Sequence, residues 1–382
     1  MTTGTERPDG GPIEGNWQAP FCQKNREYEM RDRTLKTLRT VAAAFALAIS
    51  SISVVHAQDV VIVSSGGEWQ EAQDKALWAP AAKALGITYA QDTSQSWAEA
   101  RAQVESGSVT WDIIQISIAE EPLARAAGIL EKLDDGVYNR ADFVPGSSTD
   151  HCVAVSNYST LIAWNKKTYG DNGPKSMVDF WDVKKFPGKR ALWNQPGGML
   201  EAAALALGTP RDAVYEFLST EEGRKAAVAK LAELAPSVSV WWESGAQAAQ
   251  LIKDGEVDLI LTWGGRVLGA VSDGANFGLT FNDGQLGTDC YAVLKGAPHR
   301  DAAMRFLTEM SKAEYQKDLP NYYPTAPANM KAYELGGYPP EKVATMASAP
   351  DNVAVQYAVD PEFWAQYGAW ASEAYDNVRL AN

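Results

Sequence analysis

The chain has 382 residues, 46% apolar and 21% charged, enough hydrophobic material for two packed units or one large bilobed one, which excludes disorder and collagen-like structure. Acidic residues outnumber basic ones 48 to 34, a net charge of −14. With no Lys/Arg cluster in its body, such a chain repels phosphate backbones, so nucleic acid is excluded as a partner and a cationic small molecule suits the sign better.

From Met30 the chain reads MRDRTLKTLRT, then an apolar run over 41–55, then Val55-His56-Ala57 ahead of Gln58. A basic start, a short apolar stretch and small residues at the −3 and −1 positions are the marks of a secretory signal peptide over 30–57, with cleavage after Ala57 and a periplasmic destination. The run contains Ser50, Ser51 and Ser53 and falls short of the roughly 20 apolar residues that span a bilayer. Residues 1–29 are polar and Gly/Pro-rich and stand ahead of a signal, so they are expected to be extraneous, with Met30 the true start. Beyond the signal only Cys152 and Cys290 remain. In an oxidising compartment two cysteines read as a disulfide, the alternative being two buried free thiols.

Residues 59–64 (DVVIVS) form a β-branched strand ended by Ser65-Gly66-Gly67, and a helix with apolar Trp69, Ala72, Ala76 and Leu77 follows. Gly86 closes that helix. A short strand over 87–90, a helix over 97–104, a buried strand over 111–117 (WDIIQIS) and a helix over 119–127 continue the alternation. The rhythm returns with strand 191–194, helix 199–207, helices within 211–234, strand 238–241, helix 246–254 and strand 257–263. This order predicts an α/β protein with two separate, mostly parallel sheets flanked by helices. Two extended stretches lie between the blocks, 152–164 and 290–294, each beginning with one of the cysteines. They read as crossover strands joining two lobes, 58–153 plus 289–325 and 154–288 plus 326–382, with the disulfide stapling a hinge about which the lobes close. Asn157-Tyr158-Ser159 matches a glycosylation sequon by chance.

Catalytic signatures are absent. His151 and His299 have no nucleophile or metal-ligand set at a useful spacing, and no nucleophile elbow, zinc-protease motif or phosphate loop occurs. The chain is therefore read as a non-enzyme with no cofactor and no metal; an exported α/β hydrolase or lyase is the alternative class, because paired carboxylates leave no motif. Gly66-Gly67 and Gly197-Gly198 each precede a helix and could seat an anion, though tight turns use such pairs more often. Trp69 follows a turn, and Trp193, Trp242 and Trp263 stand at strand ends, where open α/β sheets bind ligands. Trp242 and Trp263 are expected in a cleft, while Trp78, Trp97, Trp111 and Trp181 are expected in the core. An indole face attracts a cation by about 0.5–2 kcal/mol and also covers a methylene chain.

The segments SSGGEWQEA, TWDIIQIS, NYSTLIAWNKKTYG, KSMVDFWDVKKFPGKRAL, DGEVDLILTWGGR, TDCYAVLKGAP and NYYPTAPAN, in this order, resemble the periplasmic spermidine/putrescine-binding proteins of ABC importers and their broader solute-binding relatives. The likeness runs over nearly all of 58–382. It implies a type II periplasmic-binding-protein fold with the ligand in a cleft between lobes, an aromatic box and carboxylates at the amines. It also implies delivery to a membrane permease by a monomer. Carried over by position, Trp69, Ser117, Trp263, Asp289 and Tyr323 match cleft residues of the family. The departures are Asn194-Gln195-Pro196-Gly197-Gly198, where polyamine binders place acidic residues, and Arg266 directly after the box tryptophan. A diamine needs a carboxylate at each end, and only Asp289 is readily assigned, with Glu68, Glu120 or Glu243 as possible seconds. The resemblance implies a polyamine or related small amine; Arg266 favours the alternative, a zwitterion such as 4-aminobutyrate.

Overall fold

The structure is a computed structural model that describes residues 59–94 and 97–381. The expected signal peptide, its cleavage after Ala57 and the extraneous segment 1–29 lie outside the described residues. Ten strands follow in chain order: β1 Val60–Ser64, β2 Tyr89–Thr93, β3 Ile113–Ser117, β4 Val153–Asn165, β5 Arg190–Trp193, β6 Val238–Trp242, β7 Leu259–Trp263, β8 Phe277–Val293, β9 Ala326–Pro327 and β10 Tyr357–Ala358. Their order in the sheet is β2-β1-β3-β8-β4-β7-β5-β6, with β9 added to β4 and β10 to β8.

The two expected blocks are present: β1 pairs with β2 and β3 in parallel, and β5 pairs with β6 and β7 in parallel. They do not form separate sheets. β4 and β8 run antiparallel to each other through both blocks and join all ten strands into one hydrogen-bonded sheet. The correction comes from β8, which has 17 residues although only 290–294 reads as extended. At Asn282-Asp283-Gly284 the strand makes a bulged excursion, with Thr160 opposite Gln285 and Ile162 already opposite Thr280. Asp283 adopts φ 60° there, held by a hydrogen bond from the Met177 amide (3.0 Å) and an ion pair with Arg211 (3.3 Å).

Buried apolar residues gather on both sides of the crossover. One set packs β1 and β3 against Ala72, Leu77, Trp78, Phe306 and Leu307. Another packs β5 and β7 against the helices Met199–Ala206 and Glu221–Leu234 and against the C-terminal helix Pro361–Leu380, for which the sequence reading has no counterpart. Cys152 and Cys290 are bonded, with their Cα atoms 5.6 Å apart, and tie the residue before β4 to the C-terminal end of β8. Closing a loop of this length stabilises by about 4–5 kcal/mol in the chain-entropy picture.

Candidate ligand-binding cleft

A cleft of about 720 Å³ opens where the crossover strands meet the C-terminal ends of β1, β6 and β7. Each of those strands runs straight into a helix that begins at the cleft, the placement at which open α/β sheets take ligands. The volume lies within the usual range for small-molecule sites and exceeds what a four-carbon amino acid needs.

One wall is acidic and desolvated. Asp289 on β8 faces the cleft and accepts hydrogen bonds from Ser156 Oγ (3.3 Å) and the Gln115 side chain; burial pushes its carboxyl up to about 7, against those two donors and with help from nearby Glu120. The orientation of Gln115 is fixed from behind. Trp78 Nε1 donates to Tyr291 Oη (2.9 Å), Tyr291 donates to Gln73, Gln73 Nε2 donates to Ser64 Oγ (2.7 Å), and Ser64 donates to Gln115 Oε1 (2.6 Å). Trp69 Nε1 donates to the same oxygen at 3.2 Å. With its carbonyl saturated, the Gln115 amide turns its N–H groups to Asp289.

The opposite wall is positive. The helices Gly245–Asp254 and Gly264–Ser272 both begin at the cleft; Ser244 caps the Gln247 N–H of the first, and the second has no side-chain cap, so first-turn N–H groups of both face the cavity. Arg266 sits in the first turn of the second helix, and its guanidinium lies against the start of the first, where a Cβ on Gly245 would meet Nε at 2.5 Å. A cation at a helix N-terminus is electrostatically unfavourable, and among the described residues no carboxylate pairs with Arg266. Glu68 and Glu243 also line the cleft but neither forms an ion pair with Arg266, so a guanidinium at two helix starts offers a site for an anion. Gly265 permits the approach, since a Cβ there would meet the Pro324 carbonyl at 2.7 Å.

Aromatic side chains close the ends. Trp69 and Tyr323 pair at 5.3 Å, and Trp263 stands across the cleft, braced edge-on by Trp193 (5.3 Å) and Trp242 (5.1 Å).

Of the residues singled out in the sequence, Trp69, Trp263, Arg266, Asp289 and Tyr323 line this one cleft, with Glu68 and Glu243 of the second-carboxylate candidates; Trp242, Ser117 and Glu120 do not. Trp242 is fully buried, stacked on Trp193 at 5.7 Å with its indole N–H donating to Leu261 O, because the parallel register sets Trp193 opposite Trp242 and turns both into the layer behind Trp263. Ser117 pairs in register with Asp289 and shares its face of the sheet, where it hydrogen-bonds the cleft-lining Tyr158 phenol without itself being a lining residue. Gly66-Gly67 lies at the cleft; Gly197-Gly198 is not among its lining residues. Trp78, Trp111 and Trp181 are core, whereas Trp97 is half-buried. Sequence reasoning missed Gln115, Tyr158 and Phe281. The glutamine carried a signal, as the one polar residue in the middle of an otherwise buried strand; Phe281 did not, because its place depends on the β8 bulge. His299 pairs with buried Asp112 at 3.0 Å and His151 lies 3.7 Å from Glu121, both away from the cleft.

Comparison with known proteins adds four findings. Residues 85–354 match the family described as bacterial extracellular solute-binding protein. A gamma-aminobutyric acid-binding protein of Pseudomonas aeruginosa strain PAO1 is 30% identical over 338 residues, which cover 86% of this chain and 95% of that one. Among solved structures, the PBP MotA from A. tumefaciens B6 in complex with glucopine is 83% identical with a TM-score of 0.78, covering 84% of this chain and all of the other. The PBP AgtB from A. tumefaciens R10 in complex with agropinic acid is 27% identical with a TM-score of 0.71, covering 85% and 99%.

Proposed function

The chain belongs to the bacterial extracellular solute-binding proteins, substrate-binding components of ABC transporters rather than enzymes, and from that premise we propose that its ligand is a sugar–amino-acid conjugate of the glucopine type. The observation that carries this reading is the pairing of opposite poles across one cleft: unpaired Arg266 at two helix starts, and Asp289 on the crossover strand. Glucopine joins a hexitol to glutamine through a secondary amine. Its carboxylate suits Arg266 and the helix N–H groups, its ammonium suits Asp289, and its hydroxyls suit Ser159, Glu243, Ser244 and Thr325, with Trp263 and Trp69 covering C–H faces. The 83% identity to a protein solved with glucopine supports the same class.

A polyamine fits less well. It has no anionic group for Arg266, and its second ammonium would compete with the guanidinium for one wall. A 4-aminobutyrate reading keeps both poles but leaves the hydroxyl-lined remainder of the cleft unused. The ligand is taken up in the periplasm by a monomer that closes its lobes, 58–153 plus 289–325 on 154–288 plus 326–382, about β4 and β8 and hands it to a membrane permease. Isothermal titration with glucopine, 4-aminobutyrate, putrescine and spermidine tests the reading. Glucopine is expected to bind at micromolar Kd or tighter, about −8 kcal/mol, and the diamines at least a hundredfold more weakly; tight putrescine binding with none for glucopine would overturn it.

A further inference from the structure

Behind Asp289 lies a group of acids that no cation neutralises. Glu120, in the turn after β3, accepts a hydrogen bond from the Ser117 amide (3.0 Å), and Tyr158 on β4 lies within the electrostatic reach of both Glu120 and Asp289, hydrogen-bonded by Ser117. The other titratable neighbours of Asp289 are phenols, Tyr291 on its own strand and Tyr323 from the segment facing β4, and the nearest guanidinium, Arg266, acts on Tyr323 from across the cleft. Among the described residues no Lys, Arg or His forms an ion pair with Asp289 or Glu120. Ser117 stands opposite Asp289 in the β3–β8 register, so the Glu120 carboxylate that accepts from its amide lies close to that pair, and two desolvated carboxylates so placed with neutral donors alone do not both stay ionised.

We infer that the cluster of Asp289, Glu120 and Tyr158 holds a proton in the empty cleft and releases it to solvent when a ligand ammonium docks on Asp289. The exchange balances: a carboxylic acid and an ammonium become a carboxylate–ammonium pair, and one proton passes to the buffer. Burial directs all three groups the same way, raising the affinity of Asp289, Glu120 and Tyr158 for protons. The role of Glu120 and Tyr158 is one of positioning and charge, through Asp289, and it selects for ligands that bring a protonated nitrogen. Capture is then favoured as pH rises through the range in which the cluster titrates, as long as the ligand amine stays protonated.

This inference rests on the ammonium-bearing ligand proposed above, and the test separates the two. Glucopine is titrated calorimetrically into the full chain at pH 6.5 in phosphate and in imidazole, buffers of different ionisation enthalpy, and its Kd is measured from pH 6 to 8. The expected result is a heat that differs between buffers by the equivalent of more than half a proton released per ligand, and a Kd about tenfold weaker at pH 6 than at pH 8. Glucopine binding with identical heats and a flat Kd would overturn proton release while leaving the ligand reading intact; no glucopine binding at all would overturn both. In Glu120→Gln the midpoint of the Kd profile is expected at lower pH, and an unmoved midpoint would remove Glu120 from the cluster.

Discussion

Two buried carboxylates in this protein are pushed by desolvation to the same place, about 7, yet they sit in different company. Glu201, in the helix Met199–Ala206, is surrounded: Tyr215 Oη (2.9 Å), Gln285 Nε2 (3.0 Å) and Trp364 Nε1 (3.0 Å) all donate to one of its oxygens, linking that helix to β8 and to the C-terminal helix. Asp289 has Ser156 and Gln115 on one side and the open cleft on the other. A perturbed acid is therefore not a site by virtue of its titration. What marks Asp289 is unused hydrogen-bonding capacity facing a cavity whose far wall carries the complementary charge.

The comparison predicts opposite outcomes for the two acids. Glu201→Ala leaves three donors without an acceptor, one on buried Gln285 and two on half-buried Tyr215 and Trp364, and is expected to lower unfolding free energy by about 2 kcal/mol in chemical denaturation, while glucopine Kd stays within about twofold of the parent. Asp289→Ala is expected to weaken glucopine binding by well over tenfold in calorimetric titration with little loss of stability, since it removes a desolvated acid that the empty protein holds at a cost. A large stability loss in Asp289→Ala with unchanged Kd would erase the distinction.

A pH series sharpens it further. Both acids have ordinary values near 4 and folded values near 7, so between those limits the folded chain binds more protons than the unfolded one, and the stability these groups contribute falls as pH rises from about 4 to 7. Saturating glucopine is expected to remove the Asp289 part of that fall and leave the Glu201 part, which Glu201→Gln should remove instead; melting temperatures across pH 4.5–7.5 read both. The smallest effect is expected at the aromatic wall. Trp263→Leu should weaken binding by roughly three- to tenfold, in line with about 0.5–1.5 kcal/mol for an aromatic contact, whereas Trp242→Phe should act on stability first.

The α/β alternation, the crossover role of 152–164 and the Cys152–Cys290 bond were legible because β-branched runs, glycine stops and two lone cysteines are local signals. The long reach of β8 was not, since Asn282-Asp283-Gly284 carries turn chemistry and only the pairing with β4 shows that the strand continues. Trp263 could be named because strand ends before helices are where such sheets bind, whereas Trp69, Asp289 and Tyr323 came from the family resemblance and Arg266 from a departure from it. Trp242 was misplaced because which face of a strand end meets the cleft depends on register, and register is set by partners far away in the chain; Ser117 stands on the cleft side but is covered by Tyr158. Glu201 and Tyr158 carried no distinctive spacing, so their roles appear only once the strands are side by side, while Gln115 stood out as the polar residue inside a buried strand.

The most direct test of the two-pole cleft is a crystal structure of the protein with glucopine. The account predicts the ligand carboxylate within about 3 Å of the Arg266 guanidinium and the helix starts at Gly245 and Gly264, with the ligand nitrogen within hydrogen-bond distance of Asp289. A ligand bound with its carboxylate away from Arg266, or with its nitrogen unpaired to Asp289, would contradict it.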